Sequence, residues 1–247
     1  MSTDAMKPLS LTLIVAATNQ ANAIGRNGQL PWRLSKEMNY FARVTKGEPS
    51  GSVNGIDGRT RMNAVIMGRK SWQGIPAKFK PLADRINVVV TRQSDFDLQV
   101  SSLVSCAKKS TTRNADSPGL NRAFLIGGAQ LYNEALVASS SSPTPSPHLN
   151  YSVDRILLTR VLTDFTDCDT FLHPFDRPQP ASSGSVVEWK RASDEELDEW
   201  VGWQVPRGVQ SERDRLHRPI EGQGGGGGEE EGIVRYQYEM WTRVSKS

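Results

Sequence analysis

The hydrophobic and polar positions of this chain follow two periods. Short apolar runs, typical of buried strands, alternate with segments in which apolar residues recur at helical spacing. The predicted strands are 11–17, 64–67, 86–90, 123–126, 153–161 and 234–244, and the predicted helices are 34–46, 102–110, 128–138 and 194–201. Alternation of this kind predicts an α/β fold with a largely parallel sheet.

The last apolar run has a different pattern. Residues 234–241 alternate polar with apolar or aromatic side chains. This alternation is typical of a strand that is covered on one face only. We therefore expect a half-exposed, antiparallel edge strand at the C-terminal end of the sheet.

Four segments interrupt the rhythm of strands and helices. They are rich in Gly, Ser, Pro and other polar residues, and one of them holds five consecutive glycines. Such segments bury too little apolar surface to offset the entropy cost of ordering them, so we expect surface insertions in a single domain spanning 1–247. The segments are 46–63, 138–150, 177–185 and 205–232.

Composition and charge narrow the class of protein. The chain has 247 residues, and 30 basic against 27 acidic side chains give a net charge of +3 without a basic cluster. Nucleic-acid-binding proteins concentrate basic residues in a patch, and a membrane-spanning helix needs ~20 apolar residues, so the sequence favours neither. The histidines and cysteines lack zinc-ligand spacing. We expect Cys106 and Cys168 to be free, buried thiols in a reducing compartment.

The first apolar run imitates an export signal. Lys7 precedes the apolar stretch 9–17, and Ala21-Asn22-Ala23 imitates a cleavage site. Asp4 offsets the single positive charge and polar Thr12 interrupts the stretch, so we interpret it as the first core strand of a cytoplasmic protein.

Common nucleotide-binding and catalytic sequence motifs do not identify an activity for this chain. A G-x-G-x-x-G pattern at Gly222, Gly224 and Gly227 lies in a glycine tract that follows no strand and opens no helix, so we interpret it as accidental. The motifs G-x-x-x-x-G-K-[ST], G-x-S-x-G and H-E-x-x-H do not occur, so kinase, hydrolase and metalloprotease activities lack their usual sequence support.

A glycine-containing loop follows the first strand. Gly25 and Gly28 lie three residues apart, and Pro31-Trp32 closes the far side of the loop. One interpretation is an ordinary connection between a strand and a helix. The other is a lid that closes over a ligand and excludes water.

The next helix carries an acid among apolar residues. Leu34, Glu37, Met38 and Phe41 share one face through their i, i+3, i+4 and i+7 spacing. Glu37 is therefore expected to be half-buried with a polar partner, which is also the pattern of a structural ion pair. A lone carboxylate on an apolar surface suits recognition of a flat heterocycle through paired N–H groups.

Three predicted strands end in similar chemistry. Residues 67–71 supply Gly, two cations and a hydroxyl, residues 90–92 supply a hydroxyl and a cation, and residues 125–128 end in a glycine pair. Ligands of parallel α/β sheets bind at the carboxyl ends of strands, where helix N-termini offer free N–H groups. These ends together predict a site for a phosphate-rich dinucleotide.

With these motifs in this order, the chain closely resembles the dihydrofolate reductase family. The resemblance runs in order from residue 9 to residue 175 and includes the last strand, and the insertions are similar to those of fungal members. It implies a single domain with a mixed, mostly parallel sheet of about eight strands flanked by helices. The matching motifs are Ile14-Val15-Ala16, Ile24-Gly25, Leu30-Pro31-Trp32, Glu37, Met67-Gly68-Arg69-Lys70-Ser71-Trp72, Ile75-Pro76, Pro81-Leu82, Arg85-Ile86-Asn87, Thr91-Arg92, Ile126-Gly127-Gly128, Tyr132 and Leu158-Thr159-Arg160.

The resemblance implies that NADPH reduces 7,8-dihydrofolate to tetrahydrofolate. The hydride goes to C6 of the pterin and a proton to N5. Glu37 would bind N3 and the 2-amino group and promote the protonation through a water. Thr159 would hold the Glu37 carboxylate, and Trp32 would fix the water and the lid.

The resemblance also implies the residues that bind the two ligands. Arg85 would form a forked pair with the α-carboxylate of the substrate, and Arg92 with Thr91 would select NADPH through the ribose 2′-phosphate. Substrate-binding residues would be Ile14 and Ile126, through their carbonyls, with Val15, Met38, Phe41, Ile75, Leu82, Arg85 and Tyr132. Cofactor-binding residues would be Ala16, Ile24, Gly25, Gly68, Arg69, Lys70, Ser71, Val90, Thr91, Arg92, Gly127, Gly128, Ala129, Gln130 and Leu131.

One departure and two alternatives accompany the resemblance. Some relatives carry a further Arg near the adenine, where this chain has Val100-Ser101-Ser102. The resemblance also implies that the Gly127–Gly128 peptide is cis.

Two alternative functions remain open. One is a pyrimidine reductase of riboflavin synthesis, which has the same fold, and the other is a non-catalytic NADP-binding protein. We expect a monomer that binds dihydrofolate and antifolate inhibitors, with no metal and no nucleic-acid or membrane partner.

Overall fold

The computed structural model describes residues 9–47, 61–93, 95–98, 104–106, 119–140, 151–176, 188–216 and 232–244. The helices are α1 (Ser35–Lys46), α2 (Arg69–Gly74), α3 (Ala129–Ser140) and α4 (Asp194–Val201), with a 3-10 turn at Ala77–Phe79. The strands are β1 (Leu9–Thr18), β2 (Ala23–Gly25), β3 (Arg61–Gly68), β4 (Ile86–Val90), β5 (Val104–Cys106), β6 (Gly119–Leu125), β7 (Tyr151–Val161), β8 (Thr170–Phe171), β9 (Glu188–Arg191), β10 (Gln210–Arg213) and β11 (Ile233–Val244).

One large mixed sheet organises the described part of the chain. Its order is β10-β11-β7-β1-β6-β3-β4-β5, and β9 also pairs with β11, which gives nine strands. The strands from β7 to β5 in this order run parallel. The sequence prediction of a single α/β domain with a mixed, mostly parallel sheet is therefore confirmed. Strands β2 and β8 form a separate antiparallel pair.

The core lies on both faces of this sheet. In β1, Leu13 and Val15 belong to one apolar cluster, and Ile14 belongs to the other, because successive side chains of a strand point to opposite faces. Residues of α1 and α4 contribute to the Ile14 side, and residues of α3 contribute to the opposite side. Cover on both faces explains why residues 13–17 of β1 and residues 156–158 of β7 are continuous apolar runs.

The C-terminal strand differs in part from its prediction. β11 is antiparallel to β7, as expected. It is not the outermost strand, because β10 pairs with its first half and β9 with its last residues. Tyr236, Tyr238 and Met240 are buried, since helix α4 packs against the strand as well. The expectation of a half-exposed edge strand was therefore wrong in this respect.

Two further predictions of local structure were wrong. The predicted helix at 102–110 contains strand β5, which gains backbone hydrogen bonds by pairing in parallel with β4. The segment 205–232, expected to be a surface insertion throughout, contains strand β10. Residues 102–103 and 107–110 of the first segment lie outside the described residues. So do residues 217–231 of the second segment, which include the glycine tract. Most of 46–63 and 138–150, and all of 177–185, also lie outside the described residues.

Two observations concern membrane and metal sites. Within the described ranges, no helix is both long and apolar enough to cross a membrane. The same residues contain no group of three or more His, Cys, Asp or Glu that could hold a metal ion.

The two cysteines differ in what the structure describes. Cys168 is a free thiol, as expected, but it is only partly buried. The side chain of Cys106 lies outside the described part of the chain.

Candidate active site

The ends of β3 and β6 form one half of the candidate site. The Gly68 N–H donates a hydrogen bond to the Gly127 carbonyl at 2.8 Å, and the Ile126 N–H donates to the Ile66 carbonyl at 2.9 Å. These bonds hold the two strand ends side by side. The Gly127–Gly128 peptide is cis, as the resemblance implied.

The glycine pair packs tightly against α2. A Cβ atom added to Gly127 or to Gly128 would lie 3.2 Å from the Ser71 Oγ, and Gly127 has a φ of +130°. A larger residue at either position would therefore crowd the Ser71 hydroxyl. Helix α3 begins directly after the pair, and the Tyr132 N–H makes an early intrahelical bond to the Gly128 carbonyl at 3.1 Å. Within the described part of the chain no acceptor binds the N–H groups of residues 129–131, which can therefore bind an anion.

Cationic side chains gather at the neighbouring strand ends. Gly68 pairs in register with Val90, so Arg69 and the Thr91-Arg92 pair follow adjacent strands. The Arg69 Nη1 donates to the Gln73 Oε1 at 3.0 Å. Lys70 and Arg92 are exposed and make no ion pair with another described residue. Exposed cations around a glycine pair and a helix start fit the phosphates of a dinucleotide.

Glu37 lies in the first turn of α1 and is the centre of the other half. It is only 7% exposed, which is more buried than the sequence suggested. The Thr159 hydroxyl on β7 donates a hydrogen bond to its Oε1 at 3.3 Å. Burial raises the pKa of Glu37 from its ordinary value of 4.5 to about 7, the Thr159 bond works in the opposite direction, and the Glu212 carboxylate adds to the increase. Glu37 can therefore both hold and release a proton near neutral pH.

Trp32 lies five positions before Glu37 and is buried. Its ring packs against Phe165 with the centroids 5.1 Å apart. The Trp32 Nε1–H is buried and has no hydrogen-bond acceptor among the described residues. An unsatisfied buried donor of this kind fits the role of binding a water, which is the role that the resemblance implied.

An apolar wall lies beside the acid. Phe41, Ile75 and Leu82 are partly buried and pack against the cluster that contains Ile14 and Trp32. Ala16 and Ile126 pack against the same cluster. Met38 is 46% exposed and is not part of this cluster.

The strand β1 contributes backbone to the site. The Tyr132 hydroxyl donates a hydrogen bond to the Ile14 carbonyl at 2.7 Å. A carbonyl oxygen has a second lone pair, which remains available to a ligand. The Val15 side chain packs in the opposite core cluster, together with Ile24 and Leu131. Val15 could therefore meet a ligand on the Ile14 side only through its main chain.

Arg85 is held in a fixed orientation at the far end of the wall. Its Nε donates to the Ala83 carbonyl at 3.0 Å, and its Nη1 donates to the Thr45 Oγ1 at 2.6 Å. Burial lowers the pKa of Arg85, and the charge of Asp84 opposes this effect. An arginine remains charged in spite of such a decrease, so a buried, oriented fork is available for a carboxylate.

The loop after β1 is an ordered hairpin. Arg26 and Gln29 exchange backbone hydrogen bonds of 2.8 Å and 3.0 Å. The Asn27 N–H donates to the Asp169 Oδ2 at 2.7 Å, and Arg26 pairs with Asp167. The segment that precedes β8 thus binds the hairpin both at Arg26 and at the turn residue Asn27. Its closure over a ligand stays a prediction.

Four residues that contact the site were not predicted from the sequence: Thr45, Phe165, Glu212 and Asp214, whose Oδ1 accepts a hydrogen bond from the Arg33 N–H beside Trp32. Only the acids had a local signal. Glu212 and Asp214 are two residues apart, which is the spacing that puts side chains on one face of a strand. The contacts of Phe165 with Trp32 and of Thr45 with Arg85 join positions far apart in sequence, so no local pattern could reveal them.

Cationic strand ends suit the phosphates of a dinucleotide, and an apolar wall with a buried acid suits a flat heterocycle; together on an α/β fold they define an oxidoreductase. The family model described as dihydrofolate reductase matches residues 10–52 and 54–196. The chain therefore belongs to the dihydrofolate reductase family, and it is an enzyme. The alternatives of a pyrimidine reductase and of a non-catalytic NADP-binding protein are not favoured by this match.

Individual relatives support the same assignment. The chain is 41% identical to the dihydrofolate reductase of Cryptococcus neoformans, over 94% of each chain. It is 37% identical to the Pneumocystis carinii enzyme, over 95% of this chain and 97% of the relative. The solved structure of Schistosoma mansoni dihydrofolate reductase is similar to it with a TM-score of 0.58 at 26% identity, over 95% of this chain and 98% of that one. The resemblance to fungal members is thereby confirmed.

Proposed function

We propose that the chain catalyses the reduction of 7,8-dihydrofolate by NADPH to 5,6,7,8-tetrahydrofolate, a carrier for one-carbon metabolism. One proton is consumed, and the products are tetrahydrofolate and NADP⁺. The observation that carries the proposal is the buried Glu37 carboxylate, bonded to Thr159 beside an apolar wall. NADPH supplies the hydride that reduces C6 of the pterin when it is bound.

Glu37 has two tasks in this proposal. The ionised carboxylate accepts hydrogen bonds from N3–H and the 2-amino group of the pterin, and it thereby orients the ring. The protonated carboxyl supplies a proton for N5 through a water that the Trp32 Nε1–H holds. A pKa of about 7 populates both forms at neutral pH, which suits a group that must bind as a base and deliver as an acid.

The remaining substrate contacts follow from the shape of the wall. Phe41, Ile75 and Leu82 pack against the ring system and the benzoyl group, and they exclude water from the reacting atoms. Ile14 and Ile126 offer carbonyl oxygens to the pterin edge. Arg85 binds the α-carboxylate of the substrate, which supports a preference for folates over free pterins. Met38 is exposed in the free enzyme and covers the ring in the complex.

The cofactor residues fit NADPH by their charge and their spacing. Arg69, Lys70 and the first N–H groups of α3 bind the diphosphate, and Ser71 packs beside the glycine pair. Thr91 and Arg92, at the end of β4, bind the ribose 2′-phosphate, which distinguishes NADPH from NADH. The support is the set of exposed cations on adjacent strand ends.

The deciding experiment follows NADPH absorbance in the presence of the purified protein. We expect NADPH to be oxidised when dihydrofolate is added, and not when it is omitted. The ribosylamino-pyrimidine substrate of riboflavin synthesis serves as the matched alternative. Oxidation with the pyrimidine but not with dihydrofolate would replace the proposal with the pyrimidine reductase.

Three finer features complete the proposal. Antifolates, which are flat heterocycles with paired N–H donors, compete with dihydrofolate for Glu37. The enzyme acts as a monomer in the cytoplasm, without nucleic acid, and the free Cys168 thiol supports a reducing compartment. Sedimentation of the purified enzyme at two concentrations tests the monomer, and a mass that rises with concentration would contradict it.

A further inference from the structure

The segment that joins Trp32 to Glu37 is held by a distant part of the chain. Residues 33–36 contact strand β10 and the turn that follows it, which are separated from them by more than 170 positions. The backbone of β10 is itself fixed, because Glu212 and Arg213 pair in antiparallel register with Val234 and Ile233 of β11. The contact therefore connects the start of α1 to the main sheet.

Glu212 binds the exposed end of helix α1. The first intrahelical bond runs from the Met38 N–H to the Leu34 carbonyl, so the preceding N–H groups need other acceptors. Leu34 is the N-cap residue and makes no side-chain cap. The Glu212 Oε1 accepts from the Ser35 N–H at 2.5 Å, and its Oε2 accepts from the Lys36 N–H at 2.9 Å. The carboxylate thus replaces the cap that the helix lacks.

A second acid extends this attachment by one residue. The Asp214 Oδ1 accepts from the Arg33 N–H at 2.8 Å, and the Arg215 N–H donates to the Arg33 carbonyl at 3.1 Å. Asp214 is buried. Every residue from Arg33 to Lys36 except Leu34 is therefore bonded through its backbone to β10 or to the turn after it.

We propose that Glu212 is a positioning residue for the reduction of dihydrofolate, because it fixes the helical turn that carries Glu37. This inference rests on the proposed function. Glu212 itself is bonded to backbone N–H groups and to the Tyr236 hydroxyl, which lies 3.3 Å from its Oε2. Its effect on the reaction passes through α1.

The charge of Glu212 acts on Glu37 in a known direction. The Glu212 carboxylate raises the pKa of Glu37, after burial has done so more strongly, and the Thr159 hydroxyl lowers it. Burial raises the pKa of Tyr40, Tyr132, Tyr236 and Tyr238, and the Glu37 charge adds a smaller increase to each. Among the described residues, the groups that are electrostatically coupled or hydrogen-bonded to Glu37 are Tyr40 of α1, Tyr132 of α3, Thr159 of β7, Glu212 of β10, and Tyr236 and Tyr238 of β11.

The first test measures the attachment in the free enzyme, without any ligand. Backbone hydrogen exchange of a peptide that covers the start of α1 should become at least about tenfold faster in Glu212→Ala, because two donors lose their acceptor. The matched control is Ser193→Ala, which removes the side-chain cap of α4. That variant should accelerate exchange at α4 and leave the start of α1 unchanged.

The second test measures turnover across pH. In Glu212→Ala, kcat/KM for dihydrofolate should fall about tenfold, because the turn that carries Glu37 is loosened. Glu212→Gln keeps acceptor oxygen for the cap but loses the charge, so it should restore most of kcat/KM. Its pH profile for the hydride-transfer step should nevertheless move to lower pH, since removing a neighbouring negative charge lowers the pKa of Glu37.

The outcomes separate this inference from the proposed function. If the parent enzyme oxidises NADPH with dihydrofolate while Glu212→Ala keeps parental exchange and kcat/KM, the positioning role is overturned and the proposed function stands. A fall in kcat/KM of the same size in Ser193→Ala would also overturn it, because the effect would then reflect general destabilisation. A glutamine variant with a parental pH profile would overturn the electrostatic part. A parent without dihydrofolate-dependent activity would overturn both.

Discussion

Replacement of Glu37 by glutamine should stabilise the free enzyme in alkaline solution while it removes the acid of the site. The folded protein holds this carboxyl with a pKa of about 7, against an ordinary value of 4.5 that applies to the unfolded chain. Each unit of pKa difference corresponds to about 1.4 kcal/mol, so ionised Glu37 costs the folded state about 3 kcal/mol. A neutral glutamine of nearly the same shape avoids this cost and can still accept the Thr159 bond.

The size of this stabilisation depends on pH. Below about pH 4.5, Glu37 is protonated in both the folded and the unfolded state, so its ionisation does not affect the free energy of unfolding. Between about pH 4.5 and pH 7 the folded state binds more protons than the unfolded state, so stability falls as the pH rises. Above about pH 7 the cost is complete. The gain from glutamine should therefore grow from near zero to about 3 kcal/mol.

Denaturant unfolding at about pH 5 and about pH 8.5 measures this difference directly. Val153→Ala serves as the control, since Val153 is fully buried and uncharged and its loss should cost about the same at both pH values. A gain from Glu37→Gln that is equal at the two pH values would show that the pKa of Glu37 is ordinary. The argument that burial sets the proton affinity of the site would then be refuted.

Further predictions concern the groups around Glu37 and the two ligands. In Thr159→Val the pKa of Glu37 should rise further, because the hydrogen bond that lowers it is lost. The pH profile of turnover should therefore move to higher pH, and an unchanged profile would contradict the role of Thr159. In Arg92→Ala, KM for NADPH should rise at least about tenfold while KM for NADH changes little, and equal increases would exclude the 2′-phosphate contact. In Arg85→Lys, KM for dihydrofolate should rise about tenfold, because an ammonium group cannot form the forked pair of hydrogen bonds with the α-carboxylate. A pterin without the glutamate tail should react with the variant as it does with the parent. An equal effect on both substrates would contradict the role of Arg85.

The sequence predicted those parts of the fold and the site that depend on local spacing. The i, i+3, i+4 pattern around Glu37 predicted that this acid would face apolar residues, and the acid is in fact buried. The glycines and cations at 67–71 and 125–128 predicted a meeting of strand ends, because parallel neighbours place their carboxyl ends at one edge. The bond between Gly68 and Gly127 confirms that meeting.

The parts that were wrong or missed depend on pairings between distant segments. Strand β5 becomes a strand because β4 offers it a parallel partner, and no residue between 102 and 110 encodes that partner. β11 is covered because β9 and β10 return to pair with it. The cap that Glu212 provides to α1 joins residues 177 apart in sequence, so the weak capping signal of Leu34 could not reveal it.

The central claim is that Glu37 governs protonation of the substrate while the cofactor is held elsewhere. Single-turnover NADPH oxidation by Glu37→Gln, together with NADPH binding by the same variant, tests this most directly. We predict nearly parental NADPH binding and a large loss of turnover, most severe at neutral pH, where solvent cannot easily protonate N5. Parental turnover at neutral pH, or a loss of NADPH binding as large as the loss of turnover, would contradict the account.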